Sequence, residues 1–179
     1  MNRLFMLLVL LSVMLHMPVQ AASSDVDFKG TLVAEPCTVA TGGDGENVLV
    51  DFGTIPDKNF YFYTPPRTWQ FPFHILLKDC DLSLGSQVKV TFTGTEDAEQ
   101  PGLLALFSRN GVDHLAIGIQ AADGGDIAVN QQTKGYPLNA GTTELKFSSY
   151  IQASDAGVKN RTVGKGTFEA VTTFLLEYP

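Results

Sequence analysis

An all-β sandwich is the fold class that the sequence predicts, and three observations lead to it. Short runs of alternating apolar and polar residues recur from residue 26 to the C-terminus. Turn sequences rich in glycine and proline separate these runs. No segment shows helical periodicity over more than about one turn. Several short strands with turns between them are typical of a sandwich or barrel, and seven or eight would suit an immunoglobulin-like sandwich.

The N-terminus has the pattern of a signal peptide. Arg3 supplies a short basic region, and an apolar run of twelve residues extends from Leu4 to Leu15. A run of this length is too short to span a bilayer as a helix, which needs about 20 residues. Small residues at Val19-Gln20-Ala21 then form a cleavage site. We expect residues 1–21 to be removed and the remainder to be exported, with cleavage after Ala22 as the alternative.

The composition argues against nucleic acid as a partner. The chain holds 12 basic and 19 acidic residues, for a net charge of −7. Loss of Arg3 with the signal peptide leaves 11 basic residues against 19 acidic ones and a net charge of −8. An acidic protein without a basic patch is a poor ligand for nucleic acid or anionic membranes. The charge favours solubility, or docking on a basic partner.

The strands are predicted in order along the exported chain. Gln87 to Thr93 alternates most cleanly, and Gly94 ends it. Pro72 lies inside a longer run, which indicates an edge position or a bulge because proline cannot donate a ladder hydrogen bond. The predicted strands cover residues 26–34, 48–52, 69–77, 87–93, 103–107, 115–120, 144–151 and 166–178.

The last of these strands runs to the end of the chain and is strongly apolar. Residues two apart in a strand share a face, so one face carries Phe168, Ala170, Thr172, Phe174, Leu176 and Tyr178. Glu169 and Glu177 lie on the other face. Such a strand either pairs inside its own sheet or offers an edge to another chain.

The first strand lies directly after the cleavage site, where chains are usually disordered unless a partner holds them. Val26, Phe28, Leu32 and Ala34 share one face, with Gly30 between them. A strand at this place needs a partner. A partner in the same chain would give an ordinary closed sandwich, and a partner in another chain would give strand exchange. The pattern alone leaves both open.

Cys37 and Cys80 are the two cysteines of the chain. An even number of cysteines in an exported protein predicts a disulfide. A metal site or a reactive thiol is the alternative, but neither cysteine has a second ligand nearby at metal-binding spacing.

No catalytic site, metal site or cofactor site is predicted. His74 and His114 are far apart in the sequence, and Asp79 and Asp81 resemble turn residues more than an acid–base pair. Ser148 and its neighbour lack the context of a nucleophile elbow. The aromatic residues Tyr61, Phe62, Tyr63 and Trp69 fit either a sugar-stacking platform or ordinary packing.

These features together resemble the chaperone–usher pilin family of Gram-negative bacteria. The segment Ser24-Asp-Val-Asp-Phe-Lys-Gly-Thr-Leu-Val-Ala-Glu-Pro-Cys37 matches the family's N-terminal motif. Gly166 and Tyr178 occupy the family's positions fourteen residues from the C-terminus and next to last. The spacing of Cys37 and Cys80 resembles the family disulfide. Within the family, the start motif and the interior are most similar to the minor tip and adaptor pilins of P pili.

The resemblance implies an incomplete immunoglobulin-like sandwich that lacks its last strand, with an N-terminal donor-strand extension and one disulfide. The implied organisation is a signal peptide at 1–21, a donor-strand extension at 22–36 and a pilin domain at 37–179. The missing strand leaves a groove. A periplasmic pilus chaperone first fills it, and at the outer-membrane usher the extension of the next subunit replaces the chaperone's strand.

The resemblance also assigns roles to residues. The donor strand, which enters the groove of a neighbouring pilus subunit, comprises Val26, Phe28, Gly30, Leu32 and Ala34. Gly30 lies where the groove is too shallow for a side chain. The groove or chaperone-contact strand comprises Gly166, Phe168, Ala170, Phe174, Leu176 and Tyr178. Thr172 and Pro179 differ from the usual family pattern at the chaperone contact.

The expected function is that of a structural minor subunit or adaptor of a surface pilus, exported through the periplasm and contributing to bacterial adhesion. A sugar-binding tip adhesin is an alternative, although such proteins carry an additional lectin domain ahead of the pilin domain. A chain-terminating subunit without an open groove is another. A secreted enzyme with a closed sandwich is disfavoured by the lack of a predicted active site.

Overall fold

The computed structural model describes residues 29–30, 34–40, 47–109 and 111–179. Two compact units divide the chain, one ending at Val33 and the other spanning Ala34–Pro179. The architecture given below is that of the second unit. Among the described residues, no helix has the length and apolar character needed to cross a membrane.

Two antiparallel sheets build this unit. The described strands are β1 (Thr38–Val39), β2 (Phe71–Cys80), β3 (Gln87–Thr93), β4 (Leu104–Ala105), β5 (Leu115–Ala121), β6 (Asp126–Ile127), β7 (Tyr136–Pro137), β8 (Gly141–Ala153) and β9 (Thr173–Glu177). The larger sheet has the order β1-β2-β8-β5-β4, and β6 also pairs with β5. The smaller sheet has the order β7-β3-β9. The predicted all-β fold is confirmed.

The core between the two sheets is rich in aromatic side chains. Phe147 of β8 contacts Phe92 of β3 edge-to-face at a ring-centroid distance of 5.1 Å. It also stacks on Phe73 of β2 at 5.6 Å. Tyr136 of β7 approaches the same Phe147 ring at 5.7 Å. This cluster therefore joins strands of both sheets, and each such aromatic pair adds about 0.5–1.5 kcal/mol beyond the area it buries.

Strand β2 contains a proline, Pro72, at a place where the strand has a neighbour on one side only among the described residues. Pro72 pairs with Ser148 of β8, whereas β1 pairs with β2 only at Leu77 and Lys78. At Pro72 the strand is therefore hydrogen-bonded along one side. This is the edge position that the sequence predicted, since proline has no N–H to donate to a second neighbour.

The disulfide joins Cys37, just before β1, to Cys80 at the end of β2. Both cysteines are buried, with 2% and 6% of their surface exposed. The predicted bridge is therefore present. It holds the start of the unit against the larger sheet, and Pro36 also accepts a backbone hydrogen bond from Asp81 at 2.7 Å.

Two short helices interrupt the strands: α1 (Asn59–Phe62) and α2 (Asp155–Asn160). α2 has six residues and exceeds the single turn that the periodicity allowed. Ser154 caps it by accepting a hydrogen bond from the Gly157 N–H at 3.1 Å, and Arg161 ends it in a left-handed conformation. Ser154 is a sequence signal for the start of α2, because serine is favoured at the N-cap position of a helix.

One predicted strand, 103–107, is reduced to Leu104–Ala105, and two further strand predictions differ from the structure. Residues 48–52 are not a strand, because their backbone has no strand partner among the described residues. The terminal strand is shorter than predicted: only Thr173–Glu177 pairs continuously with β3, and the preceding residues make a single bridge between Glu169 and Phe107. In both places the residues have strand-like side-chain alternation without a continuous ladder.

Candidate functional site: an apolar groove

An apolar groove of about 810 Å³ opens along the surface of the sandwich. Two segments border it. We call residues 47–55 the first rim and residues 166–174 the second rim; every residue of the two rims except Thr173 lines the groove. The rest of its surface comes from core strands and is almost wholly apolar, comprising Phe73, Ile75, Phe92, Leu104, Ile117, Ile119 and Ser149.

Both rims alternate as strands do. In the first rim, Val48, Val50 and Phe52 are half-buried, whereas the residues between them are exposed. In the second rim and β9, the even-numbered residues from 168 to 178 are half-buried and the odd-numbered ones are exposed. Each rim therefore directs one row of side chains towards the protein and the other row towards solvent.

The backbone edges of the rims are largely unpaired among the described residues. The first rim makes no backbone–backbone hydrogen bond with them. In the second rim, Glu169 pairs with Phe107 through its N–H and carbonyl at 2.9 and 2.7 Å, and Thr173 and Phe174 pair with β3 as part of β9. The other residues of this rim make no backbone–backbone hydrogen bond with a described residue. β9 pairs with β3 and has no second neighbour in its sheet. Unpaired strand edges on either side of an apolar groove can accept an additional strand.

The groove narrows at one point. The ring of Phe52 on the first rim lies 6.1 Å from the ring of Phe168 on the second rim. Phe71 supports Phe52 edge-to-face at 4.8 Å, and Trp69 covers Phe71 at 5.7 Å. Two rings that meet across the groove leave little room for a side chain between them.

A second cavity, of about 280 Å³, adjoins this narrowing. Ile55, Gly166 and Phe168 line both cavities, so the smaller one is the end of the groove. It reaches the core through Phe60 and Val163, of which 3% and 5% is exposed. We call it the end cavity.

An ion pair lies at the end cavity. Lys165 Nζ is 2.8 Å from a carboxylate oxygen of Asp57, and both residues line the cavity. The hydrogen bond from Lys165 lowers the pKa of Asp57, and the same bond raises the pKa of Lys165. Both side chains are well exposed, so solvent screens the pair. Its contribution is to orient the two side chains rather than to stabilise the fold.

A histidine supports the wall of the end cavity. Ser154 N–H donates to the His114 carbonyl at 2.9 Å, and Gly164, a lining residue, donates its N–H to Asp113 at 3.1 Å. His114 Nδ1 lies 2.8 Å from Glu99 and 3.4 Å from the Ser154 hydroxyl. The hydrogen bond to Glu99 raises the pKa of His114, and Asp113 and Asp97 act in the same direction.

The hydrogen-bonded pair of His114 and Glu99 predicts that the free energy of unfolding depends on pH. Because folding raises the pKa of His114, its contribution is complete below the ordinary value of about 6.5 and is lost as pH rises through the raised pKa. Glu99 has a lowered pKa, so its own contribution is lost only in acid, as pH falls through that value. We expect His114→Asn, which tolerates the left-handed backbone at this position, to flatten the decline in the urea midpoint as pH rises from about 6.5 through the raised pKa of His114. A wild-type midpoint that does not change over this range would contradict the assignment.

The structure places the predicted site residues in three groups. Gly166, Phe168, Ala170 and Phe174 line the groove. Leu176 and Tyr178 lie beyond it and are half-buried against the core. Of the predicted donor residues, Gly30 and Ala34 are described and exposed, whereas Val26, Phe28 and Leu32 lie outside the described residues.

Two details concern polar side chains of the terminal strand. The Thr172 hydroxyl donates to the carbonyl of Thr93 at 3.0 Å, so a polar side chain is satisfied within the groove lining. Burial raises the pKa of Tyr178, and the Glu35 carboxylate adds to the effect. The penultimate tyrosine is therefore near the start of the unit.

Sequence reasoning did not assign the first rim to the site. The signal was the alternation of Val48, Val50 and Phe52, which predicted a strand but not its neighbour. The end cavity was also missed, because Phe60 and Val163 are remote in sequence from both rims. Among the described residues, no group of three histidine, cysteine, aspartate or glutamate side chains could hold a metal ion.

Comparisons with known proteins agree on the kind of molecule. A family model described as "Fimbrial protein" matches residues 26–179. The "Fimbrial adapter PapK" of Escherichia coli is 34% identical over 164 residues, which cover 89% of this chain and 90% of that protein. "Protein PrsK" of Escherichia coli is 35% identical over 164 residues, with the same coverage of 89% and 90%.

The solved structures establish the likeness of the fold. The crystal structure of the P pilus rod subunit PapA superposes with a TM-score of 0.66 at 23% identity, covering 81% of this chain and 100% of that one. At this identity the match concerns the fold alone, which is the incomplete immunoglobulin-like sandwich of a pilin.

Proposed function

The chain belongs to the fimbrial protein family, and we propose that it is a minor adaptor subunit of a chaperone–usher pilus, joined to its neighbours by donor-strand exchange. The observation that carries the proposal is the groove with an apolar floor and two rims that are largely unpaired among the described residues. Similarity to an adaptor over 89% of the chain supports the adaptor role. The protein is thus a structural subunit that associates with other pilus subunits at the cell surface.

The energetics of the groove account for the need of an additional strand. Burying four apolar donor side chains contributes at most about 6–10 kcal/mol. Backbone hydrogen bonds with the rims add about 1 kcal/mol each. Ordering the donor costs about 1–2 kcal/mol per residue and offsets much of this gain. The remainder comes from completing the acceptor sandwich.

The partner that fills the groove differs between the stages of pilus assembly. Before assembly, a periplasmic pilus chaperone supplies a strand that covers the apolar floor. At the outer-membrane usher, a neighbouring subunit's extension replaces that strand. In turn, the extension at 22–36, with Val26, Phe28, Leu32 and Ala34 as its apolar face, enters the groove of another subunit.

The narrowing gives the glycine of the donor a physical role. Where Phe52 and Phe168 meet at 6.1 Å, a donor strand can pass most easily with no side chain at that residue. In this protein's own extension the corresponding residue is Gly30. A neighbour's extension that enters this groove should carry its glycine at the same place.

A peptide of residues 24–36 tests this assignment. We expect it to raise the unfolding temperature of the full chain in a concentration-dependent way, because a ligand at 100 times its Kd stabilises by about 2.7 kcal/mol. The peptide with Gly30→Val should lose most of this effect. The Phe168→Ala protein should restore binding of the Gly30→Val peptide, since it removes one of the two rings. Equal stabilisation of the wild-type protein by both peptides would contradict the assignment, and no stabilisation by either would contradict strand acceptance itself.

A further inference from the structure

Two of the outward-facing residues of the rims are large and apolar, although they do not face the floor of the groove. Leu49 on the first rim and Val171 on the second are exposed over 87% and 83% of their surfaces. They are the two most exposed of the large apolar residues that the structure describes. Both point away from the floor, because their neighbours in sequence are the half-buried residues.

If the Phe52–Phe168 contact is taken as the point where the two rims face each other, these two residues lie opposite each other. Ile55 and Gly166 line both the groove and the end cavity, whereas Val48 and Thr172 line only the groove. The rims therefore run in opposite directions. Counting from the Phe52–Phe168 contact, three residues back along the first rim is Leu49 and three forward along the second is Val171.

The same count brings two carboxylates together one position from the narrowing. Asp51 and Glu169 are exposed, and neither forms an ion pair with a described residue. A strand that runs parallel to the first rim, with its glycine at the narrowing, places its preceding residue between them. In this chain's own extension that residue is Lys29, which is complementary in charge.

Two positions further back, the extension of this chain does not match the residues of the two rims. An inserted strand parallel to the first rim places the residue three before its glycine between Leu49 and Val171. In this chain that residue is Asp27. Aspartate is disfavoured in strands, and a carboxylate between two apolar cross-strand neighbours gains no favourable contact. A β-branched or apolar residue there would pack against both.

We infer that the rims select the inserted strand by its outward-facing side chains as well as by those that enter the groove. The occupant is the extension of a different subunit, with a basic residue just before its glycine and an apolar or β-branched residue three before it. A second copy of this chain is disfavoured by Asp27. This inference rests on the proposed strand acceptance.

Self-association of the full exported chain, residues 22–179, tests the inference. The wild type is compared with Asp27→Val by sedimentation velocity over a concentration series. Because one favourable cross-strand pair changes the free energy by up to about 1 kcal/mol, we expect the Kd for self-association to fall about fivefold in Asp27→Val. The substitution lies in the extension and leaves the residues of the sandwich unchanged.

Asp25→Val is the matched control, because it adds the same side chain at another outward-facing position of the extension. It should change the Kd less than Asp27→Val. In a Leu49→Asn protein the effect of Asp27→Val should largely disappear. An unchanged Kd in Asp27→Val, or an equal decrease in Asp25→Val, would overturn the inference.

Failure of the inference can be distinguished from failure of the proposed function. A peptide of residues 24–36 with Asp27→Val is added to the wild-type chain. If this peptide stabilises the chain while Asp27→Val leaves self-association unchanged, strand acceptance holds and selection by Asp27 is wrong. If no version of the peptide stabilises the chain, strand acceptance fails, and the inference fails with it.

Discussion

A protein that begins at Glu35 and ends at Pro179 is expected to be poorly soluble and to unfold at a low temperature. The same protein extended by a linker and a copy of Ser24–Pro36 should be monomeric and unfold cooperatively. The added strand covers the apolar floor and pairs with both rims. If the net gain is about 4 kcal/mol, the unfolding temperature rises by about 8–16 °C for a domain of this size.

The control for this experiment is a copy of Ser24–Pro36 with Phe28→Asp and Leu32→Asp. It has the same length and linker but cannot bury its apolar face, so it should not stabilise the protein. Differential scanning calorimetry and size-exclusion chromatography report the two properties separately. If the uncomplemented protein is as stable as the complemented one, the sandwich is already closed and donor-strand exchange is wrong for this protein.

Removing the disulfide is expected to have the second largest effect. Cys37 and Cys80 are 43 residues apart in sequence, and closing a loop of this length stabilises a protein by about 4 kcal/mol on the chain-entropy model. The Cys37→Ala/Cys80→Ala protein should therefore have a markedly lower urea midpoint. The loop contains the first rim, which has no backbone partner among the described residues, so the bridge is an important restraint on this side of the groove.

Reduction supplies the control for the disulfide experiment. Adding a reductant to the wild type should bring its midpoint close to that of the double variant, whereas the double variant itself should not respond. Alanine is used because both positions are buried and a serine hydroxyl would need a new partner. A double variant with the wild-type midpoint would show that the bridge does not stabilise the folded state.

The groove connects the binding of a strand with the packing of the core. Its floor belongs to the same core that holds the two sheets together: Phe92 contacts Phe147 in the core and also lines the groove. A strand that fills the groove therefore completes the core of its acceptor. Binding of such a strand and packing of the core are therefore coupled at this site.

Most of the strands could be predicted because their signals are local. Gln87–Thr93 is found with the predicted bounds, and the predicted runs at 115–120 and 144–151 lie within β5 and β8. Side chains alternate between core and surface in β3 and in the first part of β8, whereas β5 is buried along its whole length. The partner strands of all three are present in the same chain. α2 was underestimated because its start depends on one capping serine and its six residues are too few for a periodic pattern.

The sequence by itself determined the all-β class, the disulfide, and the face of the terminal strand that turns inward, because alternation and cysteine pairing are properties of the chain alone. Only the tertiary structure decided that residues 47–55 lie opposite residues 166–174, that Phe52 meets Phe168, and that an end cavity lies beyond them. These features depend on segments more than 100 residues apart in sequence. No local pattern specifies which distant segments become neighbours, because that is settled by how the two sheets pack around a shared core.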